Sequence, residues 1–271
     1  DTLRSRLRIT KILDSKILNF ERGITMSKPN AVISLFDYTG VLSKPYLDSG
    51  LYTVFQFDQQ LENNWTPHLT KGSNRGWLPA TVGGDYREWT PIIESIYDQY
   101  DVAIILSQPS CTDLAVSGAR HMAAKRLANS NYEAEAMDMV LLAKRIADQH
   151  GTPYAIENPV SRISTLWRKA DFYFHPYEYG GYLPEDDIAP NYVTPARDCY
   201  SKKTGQWTGN GFIEPVRKPV SLPEGYTYSL HHLKLGGSSL RTKNLRSACP
   251  RGWAIALFEA NHQPVKQPVL I

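Results

Sequence analysis

Cys111 follows a short apolar run at a position where a thiol can take part in chemistry. Residues 104–106 (Ile-Ile-Leu) lead into Ser107, Gln108, Pro109 and Ser110, and the cysteine comes next. An apolar run that stops at a proline is typical of a buried strand, and open α/β sheets place reactive groups at the carboxyl ends of their strands. A lone cysteine is more often an ordinary buried residue. The interpretation of Cys111 as a nucleophile therefore depends on the residues around it.

Two other apolar runs end in polar residues. Residues 153–156 lead into Glu157 and Asn158, and residues 31–36 lead into a turn at residues 37–40. In a parallel sheet all three strand ends lie along one edge. A thiolate can add to a conjugated carbon of an electron-poor ring while an acid protonates the ring nitrogen that gains charge. The neighbouring carbon then becomes nucleophilic and can capture an activated methyl group.

The first quarter of the chain reads as a nucleoside-binding layout. Residues 31–36 and 52–57 are expected to be strands, and residues 43–50 a short helix that Ser43 caps and Gly50 ends. Asp58 stands at the end of the second strand. An acid at this position can accept hydrogen bonds from ribose hydroxyls, or it can simply end the strand.

The next hundred residues continue the alternation of helices and strands. Helices are expected at residues 91–100, 115–128 and 132–149, where Gly151 is a stop signal, and strands at 101–106 and 153–156. This order predicts an α/β fold with a Rossmann-like, mainly parallel sheet. Residues 61–82 read as irregular.

The composition of the chain changes at residue 175, where tyrosine, glycine and proline become frequent and the hydrophobic periodicity is lost. We expect an irregular, partly β second domain at residues 176–235. Residues 31–175 and 236–271 would form the catalytic domain, with a helix at 251–260. Residues 1–30 form an extension, of which residues 1–25 read as a translated upstream leader before Met26 or, alternatively, as a basic amphipathic helix at residues 3–20.

Composition sets limits on the class of protein. Thirty Lys and Arg against 27 Asp and Glu give a net charge of +3, which permits a nucleic-acid partner without requiring one. The three cysteines, at positions 111, 199 and 249, match neither a disulfide framework nor a zinc pattern. No apolar run has membrane-spanning length. We therefore expect a cytoplasmic, monomeric protein without a metal.

With these motifs in order, the chain resembles the cytosine-carbon-5 DNA methyltransferase family, especially its short phage-type or bacterial members. The resemblance covers about residues 31–261. It implies a Rossmann-like methyltransferase sheet, S-adenosylmethionine as cofactor and DNA with a flipped cytosine as substrate. The family's catalytic loop and Glu-Asn motif match residues 108–111 and 157–159, which implies that Cys111, Glu157 and Asn158 are catalytic. The residues that the resemblance implies for the cofactor are Phe36, Tyr38, Thr39, Gly40, Asp58, Asp85, Pro109 and Ser247.

The chain departs from the family pattern at several positions. The family usually has glycine where Tyr38 stands, and proline where Ser110 precedes the cysteine. Only about 60 irregular residues are left for target recognition. Because proline would restrain the loop before the nucleophile, Ser110 leaves that loop freer.

Candidate substrate contacts follow from residue type and position. Lys202 and Lys203 can meet phosphates, and Trp207 can stack on a flipped base or fill the gap that it leaves. The alternative is that Trp207 is core and the lysines form a solvated loop. Ser110, Arg162 and Arg241 are further candidates for contact with the substrate.

The resulting prediction is a DNA (cytosine-5-)-methyltransferase that acts through a covalent Cys111 adduct, as in restriction-modification or phage DNA modification. Two alternatives stay open: methylation of RNA or a free nucleotide, and a non-catalytic nucleic-acid-binding relative. A group other than methyl is also conceivable.

Overall fold

A computed structural model describes residues 28–64, 78–116, 121–223, 234–236 and 239–262. The predicted leader at residues 1–25 lies outside this range. The strands are β1 (Asn30–Leu35), β2 (Thr53–Phe57), β3 (Ala80–Val82), β4 (Asp101–Ser107), β5 (Tyr154–Pro159), β6 (Phe172–Phe174) and β7 (Thr204–Gly209). The α-helices are α1 (Lys44–Asp48), α2 (Trp89–Gln99), α3 (Met122–Ala128), α4 (Tyr132–His150), α5 (Ile163–Leu166), α6 (Leu240–Ser247) and α7 (Arg251–Asn261). Short 3-10 helices span Tyr86–Glu88, Pro176–Tyr182 and Ala196–Asp198.

The seven strands form one sheet in the order β3-β2-β1-β4-β5-β7-β6. The first five of these strands are parallel neighbours, whereas β7 runs antiparallel to both β5 and β6. The predicted α/β class and Rossmann-like, mainly parallel sheet are confirmed. Because the chain order reverses between β1 and β4, the carboxyl ends of these two strands flank the crevice where such sheets bind ligands.

Helices cover both faces of the sheet because its strands are apolar on both sides. Ile33 and Leu35 of β1 pack in one buried cluster with residues of α2 and α4, such as Ile93 and Val140. Val32, which directly precedes Ile33 in the strand, packs on the opposite face with Tyr46 of α1 and Trp253 of α7. Successive strand residues point to opposite faces, so a strand buried on both sides reads as a continuous apolar run.

The sequence did not predict β3 and β7 as strands of the main sheet. β3 lies within residues 61–82, which read as irregular, and it pairs with β2 from Phe55↔Ala80 to Phe57↔Val82. β7 lies within the predicted second domain, yet it is hydrogen-bonded between β5 and β6. The boundary predicted at residues 176–235 is therefore corrected for this strand, which belongs to the main sheet.

The helix signals were correct in part. α4 ends where Gly151 adopts a left-handed φ of 67°, as expected for a helix stop. Ser43 precedes α1 but makes no side-chain cap; its hydroxyl instead donates to Asp37 Oδ2 at 3.0 Å. The helix expected at residues 115–128 begins only at Met122 in the described residues, and Ala115 forms a β-bridge with Ser161. Among the residues described, no helix is both long and apolar enough to cross a lipid bilayer.

Candidate active site

The three strand ends singled out in the sequence meet at one pocket of about 470 Å³. Phe36, Tyr38 and Thr39 reach it from the end of β1, residues 108–112 from the end of β4, and residues 157–159 from β5. Helix α6 lines it from the side with Lys243, Asn244, Arg246 and Ser247. The predicted juxtaposition of Cys111 and Glu157 at one pocket is thus present, as the shared edge of parallel strands requires.

Cys111 is half-buried in the wall of this pocket. Its backbone carbonyl accepts hydrogen bonds from the amides of Leu114 at 3.2 Å and Ala115 at 2.8 Å, which define the turn after the cysteine. Burial raises the pKa of the Cys111 thiol above its ordinary value, and the Lys202 ammonium opposes that rise. The net effect of the surroundings is therefore to disfavour the thiolate, and the Lys202 and Arg246 charges act in the opposite direction.

The Ser110 side chain contacts Thr112, across the turn that contains Cys111. Its exposed hydroxyl lies 3.1 Å from the Thr112 hydroxyl and 3.4 Å from the Thr112 amide. This side-chain turn links residues on either side of Cys111. The serine therefore supplies a local restraint next to the cysteine.

Glu157 is a buried carboxyl group at the end of β5. Its Oε2 accepts a hydrogen bond from Gln108 Nε2 at 2.6 Å. Burial raises the pKa of Glu157, while the Lys202 charge and the Gln108 hydrogen bond oppose the rise. A raised pKa shifts the balance toward the protonated form, which is the form that a general acid needs.

Asn158 connects the ends of β4 and β5. Its Nδ2 donates to the Pro109 carbonyl at 3.0 Å, and the residue is 1% exposed. The same loop is held to β1 because the Gln108 amide donates to the Leu35 carbonyl at 3.0 Å. Asn158 therefore positions the Cys111 loop.

The candidate cofactor residues fall into two groups. Those that line the pocket are Phe36, Tyr38, Thr39, Asp58, Pro109 and Ser247. Gly40 lies beside the pocket with a left-handed φ of 67°, where glycine is unstrained, and it shapes the turn after β1. Asp85 lies in an adjoining pocket of about 620 Å³ and is ion-paired with Arg87. The two pockets share Gln59, Ser110 and Met139.

Phe36 and Asp58 both line the pocket that contains Cys111. Phe36 has a φ of 58°, and its ring centroid lies 5.2 Å from that of Trp89. The Asp58 carboxylate accepts from the Gln60 amide at 2.9 Å. Burial raises the pKa of Asp58, and hydrogen bonds from the Gln60 and Tyr38 backbones oppose the rise. An aromatic ring and a carboxylate in one cavity match the apolar and hydroxyl parts of a nucleoside.

Tyr38 lies in the turn after β1 and is partly exposed. Its side chain is 41% exposed at the pocket. Its carbonyl accepts from Gln56 Nε2 at 3.2 Å, and the same amide donates to the Asp37 carbonyl. The Gln56 side chain thus holds the backbone of the turn through two carbonyl groups.

The candidate substrate residues are mostly separated by the fold. Lys202 lines the pocket and donates to the Arg246 carbonyl at 3.2 Å. Lys203 instead lies over the Tyr173 ring at 4.8 Å, and Arg162 pairs with Glu133 at 2.9 Å. Arg241 lies 5.9 Å from the Tyr192 ring. None of the last three lines the pocket that contains Cys111.

Trp207 is a core residue, which corrects the prediction that it contacts a base. It is 0% exposed, packs with the sheet cluster, and donates from Nε1 to the Arg168 carbonyl at 2.8 Å. β7 alternates the directions of its side chains, and Trp207 points to the face that α4 covers. A side chain without accessible surface cannot stack on a base.

Sequence reasoning left several pocket residues without a role. Gln108 was recognised as part of the Cys111 loop, but its bond to Glu157 requires the pairing of β4 with β5 to be known. Lys243 and Asn244 lie four and three residues before Ser247, about one turn earlier on α6, and this spacing was the available signal. Asn244 also exchanges amide hydrogen bonds of 3.1 and 3.4 Å with Gln60, which ties α6 to the segment after β2.

Within the described part of the chain, no group of three or more His, Cys, Asp or Glu side chains is placed to hold a metal ion.

No family model matches the chain, and no curated protein matches it. A similar solved structure is the MycE methyltransferase from the mycinamycin biosynthetic pathway, in complex with Mg and SAH. It shares 16% identity and a TM-score of 0.28, and the match covers 86% of this chain and 54% of that one. This chain therefore spans about half the length of that neighbour, and a TM-score of this size does not indicate a shared activity.

Proposed function

We propose that this chain is a DNA (cytosine-5-)-methyltransferase that uses S-adenosylmethionine and a covalent Cys111 adduct. The observation that supports the proposal most directly is the placement of Cys111 and Glu157, from neighbouring parallel strands, in one pocket with Asp58. A nucleophile and a raised-pKa acid are the two groups that addition to a pyrimidine ring needs.

The pocket fits the proposed cofactor. Its volume of about 470 Å³ lies within the range for small-molecule sites. Asp58 would accept hydrogen bonds from the ribose hydroxyls, Phe36 would contact the adenine base, and Ser247 of α6 would lie at the border of the site. When bound, S-adenosylmethionine supplies an electrophilic methyl group on a sulfonium.

The chain's own residues account for the remaining steps. The Cys111 thiolate forms a bond from Sγ to carbon 6 of cytosine, and Glu157 donates a proton or hydrogen bond to N3 as that nitrogen gains electron density. Carbon 5 thereby becomes nucleophilic. After carbon 5 has gained the methyl group, its proton is lost to a solvent base, and the electrons of that C–H bond form the carbon 5–carbon 6 double bond as the carbon 6–Sγ bond breaks. Cys111 leaves as a thiolate, and any proton held at N3 returns to Glu157. Lys202 favours the thiolate at both ends of this sequence.

Positive side chains near the pocket support a nucleic-acid substrate. Lys202, Lys243 and Arg246 line the same cavity as Cys111. Such groups attract phosphates irrespective of sequence. Duplex DNA also requires the target base to be extruded into the pocket.

A smaller substrate is the second candidate function. The assignment of β7 to the main sheet and of Trp207 to the core removes both from the region available for target recognition. A reduced recognition surface favours a single-stranded nucleic acid or a free nucleotide. The chemistry at Cys111 and Glu157 would be unchanged.

The test is methyl transfer from labelled S-adenosylmethionine to duplex DNA, single-stranded DNA, tRNA and dCMP, with mass spectrometry of the product base. We expect 5-methylcytosine with wild type and with Cys199→Ser, a matched control because Cys199 is also half-buried. Cys111→Ser should lose transfer. Equal transfer by Cys111→Ser would disprove the nucleophile, and a product of different mass would disprove methyl as the group.

Cofactor binding separates the enzyme from a non-catalytic relative. Calorimetry with S-adenosylmethionine should show binding to wild type and to Cys111→Ser alike, because Cys111 contacts the substrate base. Absence of binding to the wild-type protein would contradict the proposed function and favour a nucleic-acid-binding role.

A further inference from the structure

Gln108 is the side chain that holds the Glu157 carboxyl group. Its Nε2 lies 2.6 Å from Glu157 Oε2, and both residues line the pocket with Cys111. The Gln108 backbone is itself fixed, because its amide donates to the Leu35 carbonyl at 3.0 Å. The amide therefore reaches Glu157 from a rigid position at the end of β4.

We propose that Gln108 is a positioning residue that occupies Oε2 of Glu157 and leaves Oε1 to meet the substrate ring. The inference rests on the proposed function and deepens it. Oε1 has no hydrogen-bond partner among the described residues, and Glu157 keeps 7% of its surface exposed at the pocket. Oε1 is thus the oxygen that remains available to a ligand.

The position of the acidic proton follows from this contact. Glu157 Oε2 accepts the Gln108 Nε2–H at 2.6 Å. A proton on Oε2 that pointed at Gln108 Nε2 would compete with this hydrogen bond, because both groups would then be donors. When Glu157 is protonated, its proton is therefore on Oε1, toward the pocket. Without Gln108 the terminal torsion of glutamate is soft, and either oxygen can face the ring.

The amide also affects the charge state of Glu157. A donor to Oε2 favours the carboxylate, so the Gln108 contact lowers the pKa of Glu157 against the larger effect of burial. The Glu157 carboxyl group also interacts electrostatically with titratable groups of the surrounding elements. These groups are Asp37, Cys111, Tyr200, Lys202 and Cys249. These remain in place when Gln108 alone is changed.

The experiment follows the titration of Glu157 by NMR of carboxyl-labelled glutamate, with Glu157→Gln to assign the signal. Gln108→Met keeps the side-chain length and removes the donor, and we expect the midpoint to rise by about one pH unit. Gln108→Glu adds a second carboxyl group at the same place and should raise the midpoint further. Gln99→Leu, at the exposed end of α2, is the matched control and should leave it unchanged.

Kinetics provide the second measurement. Gln108→Met should lower kcat about tenfold, leave the KM for S-adenosylmethionine unchanged, and move the alkaline limb of the kcat profile to higher pH. An unshifted Glu157 midpoint in folded Gln108→Met and Gln108→Glu proteins would overturn the proposal. The titration needs no substrate, so a shifted midpoint with no methyl transfer by wild type would reject the proposed function while leaving the Gln108–Glu157 relationship intact.

Discussion

Asn158 donates from Nδ2 to the Pro109 carbonyl at 3.0 Å and thereby holds the end of β5 against the loop that carries Cys111. Asn158→Ala leaves this carbonyl without its partner, which should cost about 1–3 kcal/mol in the free energy of unfolding. A displaced nucleophile should lower single-turnover methyl transfer by roughly 10²-fold. Urea unfolding and rapid quench measure the two effects.

Asn261→Ala is the matched control for this prediction. Asn261, the last residue of α7, donates to the carbonyls of Ile213 and Leu257 and does not line the Cys111 pocket. Its loss should lower stability while transfer by the folded protein is unchanged. Equal loss of transfer in both variants would mean that Asn158 acts only through global stability.

Lys202 and Lys203 should differ in their effect on Cys111 although they are adjacent in the chain. The Lys202 charge opposes the burial that raises the pKa of the thiol, whereas Lys203 lies over the Tyr173 ring. Lys202→Met should raise the thiol pKa further, so less thiolate exists at a given pH and alkylation near neutral pH slows by about tenfold. Lys203→Met should have little effect.

The measurement is the pH dependence of Cys111 alkylation, followed by peptide mass spectrometry in a Cys199→Ser background. The Lys202→Met profile should move to higher pH relative to that of Lys203→Met. Coincident profiles would show that the Lys202 ammonium does not act on the thiol.

Trp207→Ala should reduce stability because Trp207 fills the core between the sheet and α4. We expect a loss of about 3–5 kcal/mol in chemical denaturation. Trp167→Ala is the matched control, since Trp167 is only partly buried against the same cluster and should cost less. Unchanged stability combined with weaker DNA binding in Trp207→Ala would instead support base stacking.

Asp58→Asn should weaken S-adenosylmethionine binding more than Asp85→Asn does. Asp58 is buried in the Cys111 pocket, while Asp85 faces the adjoining pocket, where Arg87 lowers its pKa to about 2. Loss of hydrogen bonds to a charged acceptor should cost Asp58→Asn about 10- to 100-fold in affinity. A larger loss in Asp85→Asn would assign the main cofactor contact to the second pocket.

The same binding should depend on pH in wild type. Burial raises the pKa of Asp58, and only the charged form is a full acceptor for two hydroxyl groups. Affinity should therefore fall as pH decreases through that raised pKa, and Asp58→Asn should remove this part of the pH dependence. Calorimetry between pH 4 and pH 8 provides the check.

Local patterns were sufficient for much of the fold. The buried strands β1, β2, β4 and β5 read as apolar runs, and α4 as a helix with a glycine stop. Because alternating strands and helices predict a parallel sheet, the ends of β1, β4 and β5 were expected at one edge. The proximity of Cys111 and Glu157 could therefore be predicted from the sequence. β3 and β7 were missed because the first has only three residues and the second contains two glycines and three polar residues within a tyrosine- and glycine-rich stretch.

The sequence by itself determined which chemical groups lie at the strand ends, because apolar runs and turn-forming residues are local features of the chain. Only the tertiary structure decided their partners: Gln108 with Glu157, Asn158 with Pro109, and Lys202 beside Cys111. It also buried Trp207 and directed Lys203 away from the pocket. These outcomes depend on strand order and side-chain direction between segments about 50 to 90 residues apart, which no local pattern encodes.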